Sequence, residues 1–306
     1  MILCCGEALI DMLPRETKNG EDAFAPYPGG AVFNTAIALG RLGAPSGFFC
    51  GLSADLFGDM LRDALSESKV HTGYAPVVQR PCTLAFVKLV DGQATYAFYD
   101  EGTALRMMTA ADLPKLDDDT SALFFGGISL VGEPCGSAFQ ALAEREAGRR
   151  AIMIDPNIRT SFITDETAYR ARIERMVALA DIVKVSDEDL HWIMGEGETS
   201  ALARAMLQKG PKIVCITEGA KGAHGVTAGG EVFVPARKVE VADTVGAGDT
   251  FNAGVLAALD GAGALTKDAL ADLDDRVLTD ALSLGVKAAA VTVSRAGANP
   301  PWASEL

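Results

Sequence analysis

No segment of this 306-residue chain supplies the ~20 consecutive apolar residues that a membrane-crossing helix requires. Histidine is scarce, at three, and the six cysteines (Cys4, Cys5, Cys50, Cys82, Cys135, Cys215) include no Cys-x-x-Cys pair. A zinc site is therefore not expected, and the thiols read as reduced and buried. Basic residues are outnumbered, 27 Lys plus Arg against 41 Asp plus Glu, and a net charge of -14 repels nucleic acid and anionic lipid. Neither a nucleic-acid nor a membrane partner is expected. The opening Met1–Asp11 has no basic n-region, and Glu7 and Asp11 interrupt its apolar run, so it does not read as a signal peptide and a cytoplasmic location is expected. Two phosphate-binding fingerprints are missing: there is no P-loop run ending in Gly-Lys-Ser/Thr, and no Gly-x-Gly-x-x-Gly follows a strand. Repeats, low-complexity tracts and Pro- or Ser-rich linkers are absent as well, so composition marks no domain boundary.

What is present is an ordinary globular mixture, 49% apolar and 22% charged, able to bury a sizeable core. Short apolar runs predict strands at 2–9, 47–51, 122–126, 151–155, 182–185 and 213–217, and amphipathic spacing predicts helices at 31–42, 56–67, 137–146, 167–180 and 201–208, with Ala-rich helices at 250–259 and 277–290. This alternation is the signature of an α/β domain with a mainly parallel sheet covered on both faces. One region breaks the rhythm: 83–90, then Asp91-Gly92, then 93–99 reads as a β-hairpin on a tight turn. A hairpin between α/β units does not easily join a parallel sheet, so it is expected to stand apart as a flap or small second sheet, with 12–28 supplying its other strands.

The segment Asp243-Thr244-Val245-Gly246-Ala247-Gly248-Asp249-Thr250-Phe251 runs small residues straight into a helix. Unpaired N–H groups of Gly246, Ala247 and Gly248 at that N-terminus can surround a phosphoryl group, and Asp249 beside it can accept a proton from an attacking alcohol. Read alone, this is also compatible with an ordinary turn and N-cap. The second segment, Gly29-Gly30-Ala31-Val32-Phe33-Asn34, opens another helix with a glycine pair that permits close backbone approach and a side-chain amide able to bond a hydroxyl.

Taken together, the Gly-Gly-x-x-x-Asn helix and Asp-Thr-x-Gly-Ala-Gly-Asp-x-Phe resemble the two signatures of the ribokinase-like (phosphofructokinase B type) carbohydrate kinases, and the resemblance spans the whole chain. It implies a three-layer α/β/α fold with a mainly parallel central sheet, one kinase domain over 1–306, and a small β lid formed by about residues 12–28 and 77–101. By the same resemblance Asp11, Gly29, Gly30 and Asn34 bind the sugar, Asp249 is the catalytic base, and Gly246, Ala247 and Gly248 form the anion hole. Thr217, Gly219 and Gly222, in a strand-end loop, and Lys184 and Ser186, at another strand end, look like contacts for ATP. Magnesium is implied by phosphoryl transfer from ATP. A potassium site near Asp243 and the loop 294–297, and a homodimer through the lid, are compatible with the family. No metal ligand is assigned. Where the family commonly carries Asn-x-x-Glu, this chain reads Ser186-Asp187-Glu188-Asp189.

The acceptor follows from thinner signals. Asp155-Pro156-Asn157-Ile158-Arg159 is similar to runs in fructokinases and 2-keto-3-deoxygluconate kinases, and Arg159 can reach a hydroxyl, carboxylate or phosphate. Ala31 stands where ribokinases and phosphosugar kinases often have Lys, which favours a lightly charged acceptor. Fructose ranks first, the keto-deoxy sugar acid second and a nucleoside third. A catalytically silent sugar-binding regulator is the rival from outside enzymology. His71, His191 and His224 share no motif, and Asp117–Asp119 reads as a solvated loop.

Overall fold

The computed structural model describes residues 1–90 and 93–306. Its elements in order are strands β1 (Ile2–Cys5), β2 (Leu9–Glu16) and β3 (Asp22–Gly29), helix α1 (Ala31–Arg41), β4 (Ser46–Phe49), β5 (Leu52–Ser53), α2 (Leu56–Glu67), β6 (Val77–Val78), β7 (Leu84–Val90) and β8 (Gln93–Tyr99). They continue with β9 (Ala122–Gly126), α3 (Cys135–Glu146), β10 (Ala151–Asp155), α4 (Glu166–Leu179), β11 (Ile182–Ser186), α5 (Asp187–Met194) and α6 (Thr199–Leu207). The chain closes with β12 (Ile213–Thr217), β13 (Gly222–Val226), β14 (Glu231–Pro235), α7 (Ala247–Gly261), α8 (Lys267–Ala271) and α9 (Asp275–Val293).

The central sheet runs β14-β13-β12-β11-β10-β9-β1-β4, parallel from β12 to β4, with the β12–β13 and β13–β14 pairs antiparallel at one edge. Strands β1 and β9 to β12 are mostly buried Ile, Leu, Val, Phe, Ala, Cys and Met, as a sheet covered on both sides requires, with Asp155, Lys184, Ser186 and Thr217 toward their carboxyl ends. From β9 the chain steps through β10, β11 and β12 in one direction, whereas β1 steps through α1 to β4 in the other. Right-handed crossovers therefore place α3 to α6 on one face and α1 on the opposite one, where α1, α7 and α9 pack together. The reversal falls between β1 and β9, and a crevice opens beyond their carboxyl ends. All six cysteines are free and buried, and among the described residues no helix is long and apolar enough to cross a membrane.

The hairpin stands apart from the central sheet. β7 and β8 pair antiparallel and join β2 and β3 in a four-stranded sheet, β3-β2-β7-β8; the expected Asp91-Gly92 turn lies outside the described residues. Prolines are tolerated there by position: Pro26 and Pro28 lie on the edge strand β3, and Pro14 lies beyond the stretch, Ile10 to Met12, in which β2 pairs with β7. One expected strand is two. The run 2–9 breaks at Gly6, where a Cβ would lie 2.6 Å from Val32 Cγ2, so the chain turns there and restarts at Leu9 in the other sheet. The β13–β14 hairpin was not anticipated, because Gly-Ala-His-Gly-Val lacks the β-branched and aromatic density of a strand and is held by its neighbours.

Candidate active site

A cleft of about 350 Å³ opens at the crevice between the two sheets. Its floor is the start of α7. Gly246 takes the N-cap position in the left-handed region, φ 77°, where a Cβ would also meet Ala298 Cβ at 2.7 Å, so glycine is required twice over. Helix bonding begins with Thr250 N–H donating to the Gly246 carbonyl. The N–H groups of Gly246, Gly248 and Asp249 have no acceptor among the described residues, whereas Ala247 N–H is turned to the Thr244 carbonyl at 3.3 Å. The cradle therefore differs from the expected one by a residue: Ala247 is drawn into the turn, and Asp249 contributes its own N–H.

Asp249 is the third residue of α7 and is buried. Its Oδ2 accepts from Asn34 Nδ2 at 2.9 Å, and its main-chain carbonyl accepts from Thr35 Oγ1 at 3.2 Å. A carboxylate at a helix N-terminus is expected to stay ionised, yet burial pushes this one up to about 7, with Asp155 and Glu7 adding and Asn34 and Lys184 opposing. Asn34, expected on the sugar, donates one of its two amide N–H groups to Asp249 and orients it.

Asp11 lines the opposite wall from β2. It has no hydrogen-bond partner among the described residues, and burial pushes it up to about 6. Gly29 explains itself against it, because a Cβ there would lie 2.3 Å from Asp11 Oδ2; Gly30, at φ 110°, lines the cleft as the N-cap of α1. The N-terminus of α1 has no cap of its own. Glu7 supplies one from the β1–β2 turn, its Oε1 accepting from Ala31 N at 3.0 Å and its Oε2 from Ser129 N at 3.2 Å. Sequence reasoning treated Glu7 only as a break in an apolar run; the spacing Glu7 to Gly30 carries no local signal.

From the β10 side, Asn157 and the exposed Arg159 reach the cleft, Arg159 bonded to the neighbouring Ile158 carbonyl. Phe98 of β8 and Phe162 lean together at 4.4 Å between centroids and form its outer lip. Tyr99, the next residue along, points away and is largely exposed.

Lys184, expected at the nucleotide, is tied to a carboxylate in this structure. It is buried and paired to Asp155 at 2.9 Å, which also accepts from Asn252 Nδ2 at 2.7 Å. Burial alone would lower the Lys184 ammonium, but the charge and hydrogen bond of Asp155 raise it. Ser186 caps α5, its Oγ accepting from Asp189 N at 3.0 Å. Asp189 is buried and pushed up to about 6, by burial first and then by Asp155, while Glu188 faces solvent. Ser186 pairs in register with Thr217 at the neighbouring strand end. Gly219, at φ 53°, turns the chain toward β13, and Gly222 is glycine because a Cβ would strike the Val234 carbonyl at 2.2 Å. Ser186, Thr217, Gly219 and Gly222 lie outside the cleft that holds Asp11 and Asp249. The three histidines lie outside it too; His224, for one, sits between Glu218 and Glu231.

The family model for pfkB carbohydrate kinases matches residues 1–305. The chain belongs to the pfkB family of carbohydrate kinases. Among curated relatives of this pfkB kinase, a fructokinase of Rhizobium leguminosarum bv. trifolii is 58% identical over 278 residues, covering 91% of this chain and 85% of the relative. Among solved structures, the fructokinase of Xylella fastidiosa with bound ATP is similar with a TM-score of 0.87 at 28% identity, over 97% of this chain and 93% of that one. A Vibrio cholerae O395 fructokinase double mutant with fructose, ADP and potassium bound has a TM-score of 0.85 at 25% identity, again over 97% and 93%. These neighbours are ribokinase-like sugar kinases, in keeping with the three-layer α/β/α fold seen here, and the chain is a sugar phosphotransferase.

Proposed function

We propose that this pfkB kinase transfers the γ-phosphoryl group of ATP, taken as its magnesium complex, to a primary hydroxyl of fructose. The observation that carries the reading is the meeting, in one cleft, of a buried carboxylate, a helix start with N–H groups unpaired among the described residues, and a second carboxylate without a partner among them. Asp11 accepts hydrogen bonds from two sugar hydroxyls, with Gly30 and Arg159 beside it and Gly29 and Asn34 shaping the two carboxylates. Asp249 takes the proton of the hydroxymethyl group, and the N–H groups of Gly246, Gly248 and Asp249, backed by the α7 dipole, hold the transferring phosphoryl group. The four-stranded sheet acts as a lid of the single kinase domain, excluding water from the transfer.

The nucleotide lies along the strand ends that carry Ser186 and Thr217 and over the turn at Gly219, with Gly222 closing that turn and Lys184 beneath. Among the described residues no cluster of three His, Cys, Asp or Glu is placed to hold a metal ion. Magnesium supplies charge neutralisation across the phosphates. A potassium site fits where Asp243 Oδ2 accepts from Gly297 N at 2.9 Å and its Oδ1 from Val245 N at 3.0 Å, tying two loops at the edge of the cleft.

Fructose is favoured by the 58% identical relative and by the fructose-bound neighbour. The keto-deoxy sugar acid keeps second place because Arg159 can receive its carboxylate. A coupled ADP-release assay with ATP and magnesium tests this against fructose, 2-keto-3-deoxygluconate, ribose, adenosine, fructose 6-phosphate and no sugar. Fructose is expected to give the largest kcat/KM; a stronger response to the sugar acid would reassign the acceptor, and silence on all with binding retained would make the chain a sugar-binding regulator. On the outer face of the lid, Phe24 and Tyr99 are exposed on either side of Phe86, at 5.0 and 5.4 Å between centroids. This stripe suits the lid-to-lid homodimer, and light scattering is expected to return twice the 32.0 kDa chain mass; a single-chain mass would remove it.

A further inference from the structure

Beneath the floor of the cleft lies a buried polar cluster to which phosphoryl transfer assigns no duty. Asp155 ends β10, and every hydrogen bond it makes is directed: Oδ2 accepts from Lys184 Nζ at 2.9 Å and from Asn252 Nδ2 at 2.7 Å, and Oδ1 from Asn157 N at 3.1 Å. Asp155, Lys184 and Asn252 are each 3% exposed or less. The cluster touches the catalytic turn at two points. Lys184 Nζ lies 3.1 Å from the position a Cβ on Gly248 would take, directly against the peptide that forms the anion cradle. Asn252 follows Asp249 by three residues on α7 and so shares its face of the helix.

Two buried carboxylates, Asp155 and Asp249, therefore compete for the one lysine that is buried among the described residues. Lys184 paired with Asp249 would hold that carboxylate in its ionised form and make it a poor proton acceptor. Asn252 commits its amide to the other outcome, keeping Nδ2 on Asp155 although its own Oδ1 is left buried without a donor. Glu7, Asp189, Arg159 and Asn34 also face these groups and shape the local charge.

We propose that Asp155 is a positioning residue for phosphoryl transfer: it holds the Lys184 ammonium beneath the Gly246–Asp249 turn and away from the Asp249 carboxylate, leaving Asp249 available as the base. Lys184 then adds its charge to the anion cradle from below while Asp249 stays unpaired by any cation. The inference rests on the kinase reading above but not on which sugar is the acceptor.

The test is the pH profile of kcat/KM in Asp155→Asn, a near-isosteric change that frees Lys184. The expected result is a rate at least about tenfold lower, a sugar KM within threefold of wild type, and an acid limb moved down by about one pH unit as Lys184 turns to Asp249. In Asp155→Asn with Lys184→Met, which buries no unpaired charge, the limb is expected to return toward its wild-type position. An Asp155→Asn limb that stays in place, whether or not the rate falls, overturns the proposal. Should that single variant not fold, the comparison of Lys184→Met with the double variant decides: equal rates support action through Lys184, and a further loss in the double variant refutes it. The limb is read with whichever acceptor on the panel turns over, so a wrong sugar and a wrong role for Asp155 give different results.

Discussion

Replacing Asp249 with Asn is expected to lower turnover by at least about a hundredfold, the usual scale of a general-base contribution, while leaving sugar and ATP binding nearly intact. The amide is close to isosteric and keeps α7's first turn, so the N–H cradle survives; what disappears is the atom that takes the proton. In wild type the same group governs pH dependence. Its carboxyl is pushed up to about 7, chiefly by burial, and only the ionised form accepts a proton, so kcat/KM rises with pH and levels off above about 7. One pH unit below that value only about a tenth of the molecules carry the base in its active form. The acid limb is therefore expected near neutrality and not near the ordinary Asp value, and it should be absent from the residual activity of the Asn variant. Steady-state kinetics between pH 5 and 9 measure both. Turnover of the variant close to wild type would remove Asp249 from the mechanism.

Asp11→Ala is expected to act on the other half of the reaction. The carboxylate has no partner among the described residues and sits in the cleft wall partly stripped of water, and this burial pushes it up to about 6. Two charge-assisted hydrogen bonds to sugar hydroxyls, at about 1.5–3 kcal/mol each, amount to roughly a hundredfold or more in kcat/KM. Most of that loss should fall on the sugar KM, with the KM for ATP little changed, because the bonds are made in the ground state as well as in the transition state. The folded protein should not suffer. An isolated, desolvated carboxylate is a cost to the native state, so the melting temperature of Asp11→Ala is expected to hold or rise. Equal damage to turnover at saturating fructose, or a clear drop in melting temperature, would mean that Asp11 is structural.

The parts of the site that lie close together in sequence were legible there. Gly246-Ala247-Gly248-Asp249 carries the turn and the start of α7 in consecutive residues, and Gly29-Gly30 with Asn34 carries a helix start and an amide one turn along. Such segments write their geometry in local rules: which residues tolerate a left-handed φ, and where a helix leaves its N–H groups unpaired. Glu7, Asp155 and Asn252 were not assigned duties, since each acts on partners far away in the chain. Glu7 caps a helix that begins at Ala31, and Asp155 is set by Lys184 and Asn252 from different elements. The pairing of Lys184 with Asp155 was not legible for the same reason.

The sequence by itself determined the α/β alternation, the separate hairpin, the family and the glycine turn that opens α7, because periodicity and turn chemistry are properties of short windows. Only the tertiary structure decided that Asn34 bonds Asp249, that the Ala247 N–H turns to Thr244, and that burial pushes the Asp249 carboxyl up to about 7. Hydrogen-bond competition and desolvation depend on everything within a few ångströms, and no window of sequence contains that neighbourhood.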